Sequence, residues 1–124
     1  MKNIFLLTAC FLAALMFSSC QSTPDKNLLY FKLADENLKI AEQSQDPKDM
    51  EKYYVQSLVN YFKYISAADN AVSANMLELE PDDSETVIEA KIKAKKCIGV
   101  LKDKFGKIIT YSKDGLRISS QNKP

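Results

Sequence analysis

Residues 47–79 read PKDMEKYYVQSLVNYFKYISAADNAVSANMLEL and carry a broad apolar pattern. Apolar residues recur there every three or four positions, which is the period of one face of an α-helix. The stripe consists of Met50, Tyr54, Leu58, Tyr61, Ile65, Ala68, Val72 and Met76, widened by Tyr53, Val55, Phe62 and Tyr64. The pattern predicts one long helix from Pro47 to Leu79. A break near residues 66–70, where Asp69-Asn70 lowers helix propensity, is the alternative.

Helix signals also precede this stretch. Thr23-Pro24-Asp25 combines a hydroxyl N-cap, a proline at the first helical position and an acid in the first turn. An apolar stripe follows at Leu28, Phe31, Ala34, Leu38 and Ala41. These features predict a first helix over residues 24–44. Because the turn before Pro47 is short, we expect the first two helices to be antiparallel neighbours.

A third helix is predicted after Pro81. Asp82 and Glu85 have the spacing of a capping box, and proline disfavours helix in the residue before it. The apolar stripe of this helix consists of Val87, Ala90, Ala94, Ile98, Leu101, Phe105 and Ile108. The chain is therefore predicted to be all-α, as a small three-helix or four-helix bundle or a repeat-like helical hairpin.

The segment from Gly106 to residue 119 admits several predictions. Ile109, Ser112 and Leu116 would extend the third stripe as helix. Ser112-Lys113-Asp114-Gly115 has the chemistry of a hairpin turn, which would join strands at residues 107–111 and 116–119. Disorder is a third alternative, because a lone hairpin is marginal in water unless it packs on helices. Residues 120–124 are expected to fray.

The N-terminal segment has the pattern of a secretory signal. Lys2 is followed by an uncharged apolar region from Ile4 to Phe17 and then by two serines. A helix over residues 4–17 would rise about 21 Å, which is short of a hydrocarbon core about 30 Å thick. We therefore expect residues 1–19 to be a removed signal peptide and not a permanent membrane span.

Phe17-Ser18-Ser19-Cys20 resembles the lipobox of bacterial lipoproteins. The resemblance implies that Cys20 carries diacylglycerol, that the chain is cut before it, and that the new amino group is acylated. Residues 20–23 would form a tether on the order of 10 Å, which keeps a single helical domain over residues 24–119 against the membrane. Gln21 is similar to the enterobacterial pattern for sorting to the outer membrane, which implies an exported protein facing the periplasm there.

The composition favours helices and excludes several chemistries. Three glycines and four prolines are few for a β-sandwich or barrel. Histidine, the commonest general base and metal ligand, is absent. With Cys10 in the signal and Cys20 on lipid, Cys97 is left alone, and we expect it to be a small buried hydrophobe on a helix. No cofactor other than the lipid on Cys20 is expected.

Charge divides the chain into two parts. Residues 20–90 contain six lysines and 14 acids, whereas residues 91–124 contain ten basic residues and two acids. Either the two parts pack side by side and neutralise one another, or the basic part contacts anionic phospholipid near the anchor. The lipid-contact hypothesis rests on Lys91, Lys95, Lys102 and Lys104.

Leu77-Glu78-Leu79-Glu80-Pro81-Asp82-Asp83 resembles the boundary between tetratricopeptide repeats. With Pro81 as the last signature position, the large aromatic position falls on Tyr53 and the small one on Ser57, so the resemblance covers residues 53–85. It implies a helical hairpin. The acids in this segment lack the glycine and oxygen spacing of a calcium loop, so we expect them to cap a helix and not to bind a metal.

These features favour an envelope protein that acts by binding. A candidate surface for an envelope protein partner consists of Tyr53, Tyr61 and Tyr64, because tyrosine combines a large apolar body with a polar tip. The alternative is a cavity for an apolar small molecule or lipid, lined by Tyr54, Tyr61, Phe62 and Phe105. The aromatic stripe could instead be core, and a host-facing antigen or adhesin is a further alternative. Neither enzymatic activity nor nucleic-acid binding is expected.

Overall fold

The structure is a computed structural model that describes residues 26–68, 76–112 and 115–120. Within these ranges the chain forms three helices followed by a two-stranded antiparallel sheet. The elements are α1 (Lys26–Gln43), α2 (Pro47–Ala68), α3 (Glu85–Phe105), β1 (Lys107–Ser112) and β2 (Gly115–Ser120). The fold is therefore mostly helical, as predicted, and the C-terminal hairpin means that it is not purely all-α.

α1 and α2 occupy the predicted positions, but α2 is shorter than predicted. It ends at Ala68, and Met76 and Leu77 lie in a turn, so the single helix to Leu79 is wrong. Both side chains of this turn are nonetheless buried in the core. Met76, a residue of the predicted stripe, is thus buried without being helical, so helical spacing of apolar residues indicated its burial but not its secondary structure.

α3 begins with a different cap from the one predicted. Ser84 is the N-cap, and its Oγ accepts a hydrogen bond from the Val87 N–H at 3.3 Å. The neighbouring Asp83 does not cap the helix: its carboxylate accepts hydrogen bonds from the Glu80 N–H and from the Lys91 ammonium. The capping box of Asp82 and Glu85 is therefore corrected to a single serine cap.

Gly106 ends α3 and lets the chain leave the helix immediately before β1. Its φ of 62° lies in the left-handed region, and its N–H bonds to the carbonyls of Leu101 and Lys102. Glycine adopts this conformation without the steric cost that other residues incur. β1 and β2 then pair from Lys107 opposite Ser120 to Ser112 opposite Gly115, so the hairpin alternative is confirmed.

The hairpin is stabilised by packing on the helices. Ile109, Tyr111, Leu116 and Ile118 are partly buried against the helical core. The Tyr111 ring lies 6.4 Å from the Phe62 ring of α2 in an edge-on arrangement. This apolar contact supplies the packing partner without which an isolated two-stranded hairpin is only marginally stable in water.

α2 is the central helix, and both other helices run antiparallel to it. The Ser57 hydroxyl donates to the Ala34 carbonyl of α1 at 2.8 Å and lies 3.7 Å from the Cys97 sulfur of α3. Tyr64, seven residues later in α2, contacts earlier residues of both helices, namely Phe31 of α1 and, with a hydroxyl distance of 2.7 Å, Thr86 of α3. α1 and α3 therefore run in the same direction. The fully buried core includes Leu58, Tyr61, Ile65, Cys97 and Leu101.

Ion pairs join the basic last third of the chain to the acidic first part. Lys93 pairs with Asp35 at 3.0 Å, Lys96 with Glu42 at 3.5 Å, and Lys107 with Glu51 at 2.6 Å. The two oppositely charged parts thus pack side by side. These pairs are partly or largely exposed, so each contributes at most about 1 kcal/mol, and they mainly orient α3 and β1 against α1 and α2.

Replacing Leu58 by Ala should destabilise the protein by about 3 kcal/mol, because the side chain is fully buried and its removal leaves a cavity. Urea unfolding followed by far-UV circular dichroism measures the change. Leu79→Ala is the control, since Leu79 is exposed and its loss should cost less than about 0.5 kcal/mol. Equal losses in the two variants would show that α2 is not the centre of the core.

Candidate functional site

Cys20, the predicted lipidation site, lies outside the described residues. The closest described backbone begins at Lys26, the first residue of α1. Lipidation of Cys20 therefore stays a prediction. None of the helices in the described ranges is long and apolar enough to cross a membrane.

The tyrosine surface predicted from Tyr53, Tyr61 and Tyr64 is not exposed as a surface. Tyr61 is 0% exposed and Tyr64 is 7% exposed, and only Tyr53 is partly accessible. The two buried rings pack with Phe31 of α1, at centroid distances of 6.0 Å for Tyr61 and 5.3 Å for Tyr64. The prediction is corrected: these tyrosines are core residues because α2 is covered by helices on both sides.

The polar tips of the buried tyrosines are satisfied inside the protein. The Tyr61 hydroxyl donates to the Asp35 carboxylate, which also accepts a hydrogen bond from Lys93 at 3.0 Å. Burial and the hydrogen bond to Asp35 raise the pKa of Tyr61 far above its usual range. Burial lowers the pKa of Lys93, but hydrogen bonds to Glu89 and Asp35 outweigh it and raise the pKa overall. The phenol therefore stays neutral and the ammonium stays charged.

The predicted apolar cavity does not form from its four residues. Tyr54, Tyr61 and Phe62 are packed in the core, and Phe105 is packed partly against it at the end of α3. Phe62 is the one member of the set that borders an open groove among the described residues. The other side chains fill the space that the cavity would have needed.

A groove of about 650 Å³ lies between α1, the second half of α2 and the tip of the hairpin. Its lining comprises Tyr30, Val59, Phe62, Lys63, Ser66, Ala67, Gly115 and Leu116. Lys63 stands at the rim with its Nζ 5.5 Å from the centre of the Tyr30 ring. The volume falls within the range of about 300–1,000 Å³ that small-molecule sites occupy.

Sequence patterns do not indicate most of this groove. Tyr30 falls outside the predicted stripe of α1, and the sequence leaves Leu116 in either a helix or a hairpin. The groove forms because the hairpin folds back towards α2, so that Leu116 lines the same groove as Ser66 and Ala67. No pattern along the chain indicates that approach.

The four lysines of the lipid-contact hypothesis are not all exposed at the surface. Lys91 is 0% exposed and is removed from any surface role, which corrects the prediction for this residue. Lys95, Lys102 and Lys104 are exposed. Since α1 and α3 run in the same direction and Lys93 is level with Asp35, Lys102 and Lys104 lie roughly 25–30 Å along the helix axes from the start of α1. The basic end of α3 is thus remote from the start of α1.

Lys91 instead binds residues 78–83, which precede α3. Its Nζ donates to the Glu78 carbonyl and to the Asp83 carboxylate, both at 2.7 Å. The hydrogen bond from Lys91, aided by the Glu80 N–H, lowers the pKa of Asp83. A charge buried this deeply needs such partners, and the Asp83 carboxylate neutralises that of Lys91.

The described residues contain neither a reactive cysteine nor a cluster of metal ligands. Cys97 is fully buried, as predicted, with its Sγ 3.7 Å from the Ser57 Oγ. Burial raises the pKa of this thiol to about 11, so it stays protonated at neutral pH and is a weak nucleophile. Across the residues that the structure describes, no group of three or more His, Cys, Asp or Glu side chains is arranged to hold a metal ion.

Comparison with known proteins adds no relative: no protein-family model, no curated protein and no solved structure matches the chain.

Replacing Lys91 by Met should lower the free energy of unfolding at pH 7 by about 3 kcal/mol, because Asp83 is left without its buried cation. Urea unfolding measures the loss. Lys95→Met is the matched control, since Lys95 is exposed on the same helix. A loss no larger than that of the control would contradict the role of Lys91 as the loop's anchor.

The same pair predicts a pH dependence. Because the pKa of Asp83 is lower in the folded than in the unfolded protein, its stabilising contribution is complete above the unfolded value of about 3.9. The contribution is lost as the pH falls through the folded value. Asp83→Asn should therefore be less stable than the wild type at pH 7, and the difference should shrink below about pH 4. A difference that is constant with pH would contradict this assignment.

Proposed function

We propose that this protein is a small lipoprotein of the bacterial cell envelope, held to its membrane by lipid on Cys20, and that its helical body acts as an accessory or interaction module. The order of three features in the sequence carries the proposal: a signal-like segment, then Phe17-Ser18-Ser19-Cys20, then a helix that begins at Lys26. Each feature is expected of a protein that is exported, cut and anchored at Cys20.

The spacing between Cys20 and α1 supports a body that works close to the bilayer. Six residue steps separate Cys20 from Lys26, which limits their separation to about 21 Å even for a fully extended chain. Two or three acyl chains give stable retention, whereas one gives only marginal binding. The outer membrane, with the body facing the periplasm, is our proposed location.

Two properties of the core favour binding over catalysis. The thiol of Cys97 and the phenol of Tyr61, which are potential nucleophiles, are fully buried, and their pKa values are raised. Lys91, a third reactive group, is held by Glu78 and Asp83. We therefore propose that the protein contributes a surface, and that its partner is another envelope protein.

The anchor is tested by comparing the wild type with Cys20→Ala in the native host. We expect the wild type in the membrane fraction, with its N-terminal peptide beginning at a Cys20 whose mass includes diacylglycerol and an acyl chain. Cys20→Ala should leave the membrane fraction or retain its signal segment. Affinity purification in mild detergent should recover a stoichiometric protein with the wild type and less of it with the variant. An unmodified Cys20 would refute the anchor.

The groove beside Tyr30 favours a second candidate function, the binding of an apolar small molecule or lipid. Its walls are largely apolar, at Tyr30, Phe62 and Leu116, and Lys63 supplies a single cation at the rim. A ligand with an apolar body and an acidic group would match both features.

Native mass spectrometry of the purified protein tests this second function. A bound small molecule, distinct from the acyl chains on Cys20, is expected with the wild type and should be lost in Leu116→Glu, which places a charge in the groove. Ser119→Glu is the matched control, since it adds the same charge at an exposed position of the same strand. Wild-type protein that carries nothing would contradict the carrier function.

A further inference from the structure

α1 exposes a line of large apolar side chains on the side that faces away from the core. Leu29 is 49% exposed, Leu33 is 47% exposed and Ile40 is 42% exposed. Their spacing of four and seven residues places them within about 40° of one another around the helix axis. On the opposite side, Ala34 and Leu38 are buried against α2. We name Leu29, Leu33 and Ile40 the outer stripe.

The outer stripe differs from ordinary exposed apolar residues. Single exposed hydrophobics are normal and need no explanation. Among the described residues, however, three of the six exposed large hydrophobics lie in this one line, whereas Leu79, Ile92 and Ile108 stand on separate elements. The clustering on one helix face indicates a surface that contacts something apolar.

The position of the outer stripe along the chain indicates what that contact is. Leu29 lies in the first turn of α1, nine residues after Cys20. The six steps from Cys20 to Lys26 span at most about 21 Å, and the three helical steps to Leu29 add about 4.5 Å, so an anchored protein keeps the start of the stripe within about 26 Å of its lipid. The anchor makes the encounter intramolecular, which raises the effective concentration of the bilayer at this face.

The charges beside the outer stripe suit a membrane interface. Lys32 and Lys39 are exposed on one flank, where long side chains can lie along the apolar boundary and place their ammonium groups among anionic headgroups. Glu36 is exposed in line with the stripe, between Leu33 and Ile40. A carboxylate there excludes deep insertion, so the helix would lie at the headgroup boundary, parallel to the surface.

We propose that α1 docks on an anionic bilayer surface through Leu29, Leu33 and Ile40, so that the membrane holds the protein by a helix face as well as by lipid. This inference rests on the proposed anchor at Cys20. It replaces the predicted contact through α3, whose exposed lysines Lys102 and Lys104 lie at the far end of the helices from the anchor. The docked orientation places α2 and α3 on the side of α1 that faces away from the bilayer.

A second copy of the chain is a weaker candidate for this face. A stable protein interface buries about 800 Å² on each partner, far more than three half-exposed side chains provide. A second copy on this face would also cover Glu36 and remove its carboxylate from water. The bilayer requires no matching surface and leaves Glu36 at the headgroup boundary, so it fits the outer stripe better.

The absence of tryptophan from the sequence gives a direct test. Lipidated Leu33→Trp and Leu29→Trp proteins are reconstituted separately in vesicles of phosphatidylglycerol and phosphatidylcholine with brominated acyl chains, which quench tryptophan on contact. Ile92→Trp is the matched control, since Ile92 is 54% exposed on α3. We expect both α1 reporters to lose most of their emission and to shift to shorter wavelength, and the control to keep its emission.

The possible outcomes separate docking from anchoring. Flotation of the vesicles reports whether the protein is anchored at all. If the protein floats but neither α1 reporter is quenched, docking is overturned and the anchor stands. A blue shift without quenching, together with a dimer after cross-linking, would overturn docking in favour of a second copy. If the protein does not float, the anchor and the docking fall together. Using two α1 reporters guards against one substitution that disturbs folding.

Discussion

Ser57 is the point at which all three helices meet. Its side chain has no exposed surface, its hydroxyl donates to the Ala34 carbonyl of α1, and the Cys97 sulfur of α3 lies 3.7 Å away. The side chains of Ala34, Ser57 and Cys97 are small, so the helix backbones can approach closely there, and a larger residue in place of Ser57 would hold them apart. The contact of these three side chains fixes the axial position of α1 and α3 relative to α2. In that arrangement Tyr61 lies against Asp35 and Tyr64 against Thr86.

Charge has different roles in the interior and at the surface of this protein. The buried pair of Lys91 and Asp83 holds the connection between α2 and α3, because a charge removed from water needs its partners. The exposed pairs of Lys93, Lys96 and Lys107 join α3 and β1 to the acidic part of the chain, where solvent screens them. Four of the ten basic residues in 91–124, namely Lys91, Lys93, Lys96 and Lys107, are therefore paired within the fold.

The body therefore presents two distinct apolar features at its surface. The outer stripe lies on α1, which begins close to Cys20, and the groove beside Tyr30 lies where α1, α2 and the hairpin meet. Tyr30 follows Leu29 by one residue, about 100° around the helix, so the groove opens beside the stripe and not opposite it. An anchored protein would thus hold the groove near the edge of the bilayer contact, where apolar molecules and membrane-bound partners are concentrated.

The sequence by itself determined that three helices form, that α2 begins at Pro47, that α1 and α2 pair antiparallel, and that Cys97 is buried, because prolines and apolar periodicity act over a few neighbouring residues. It also indicated a hairpin turn at residues 112–115 but left helix as an alternative, because a lone hairpin is stable only where it packs on other elements, as Tyr111 packs on Phe62. Periodicity identified the tyrosines of α2 without revealing that α1 and α3 cover Tyr61 and Tyr64. It likewise counted Lys91 among surface cations. Only the tertiary structure decided these points, because burial depends on which elements pack against a face, and that is a property of residues distant in the chain.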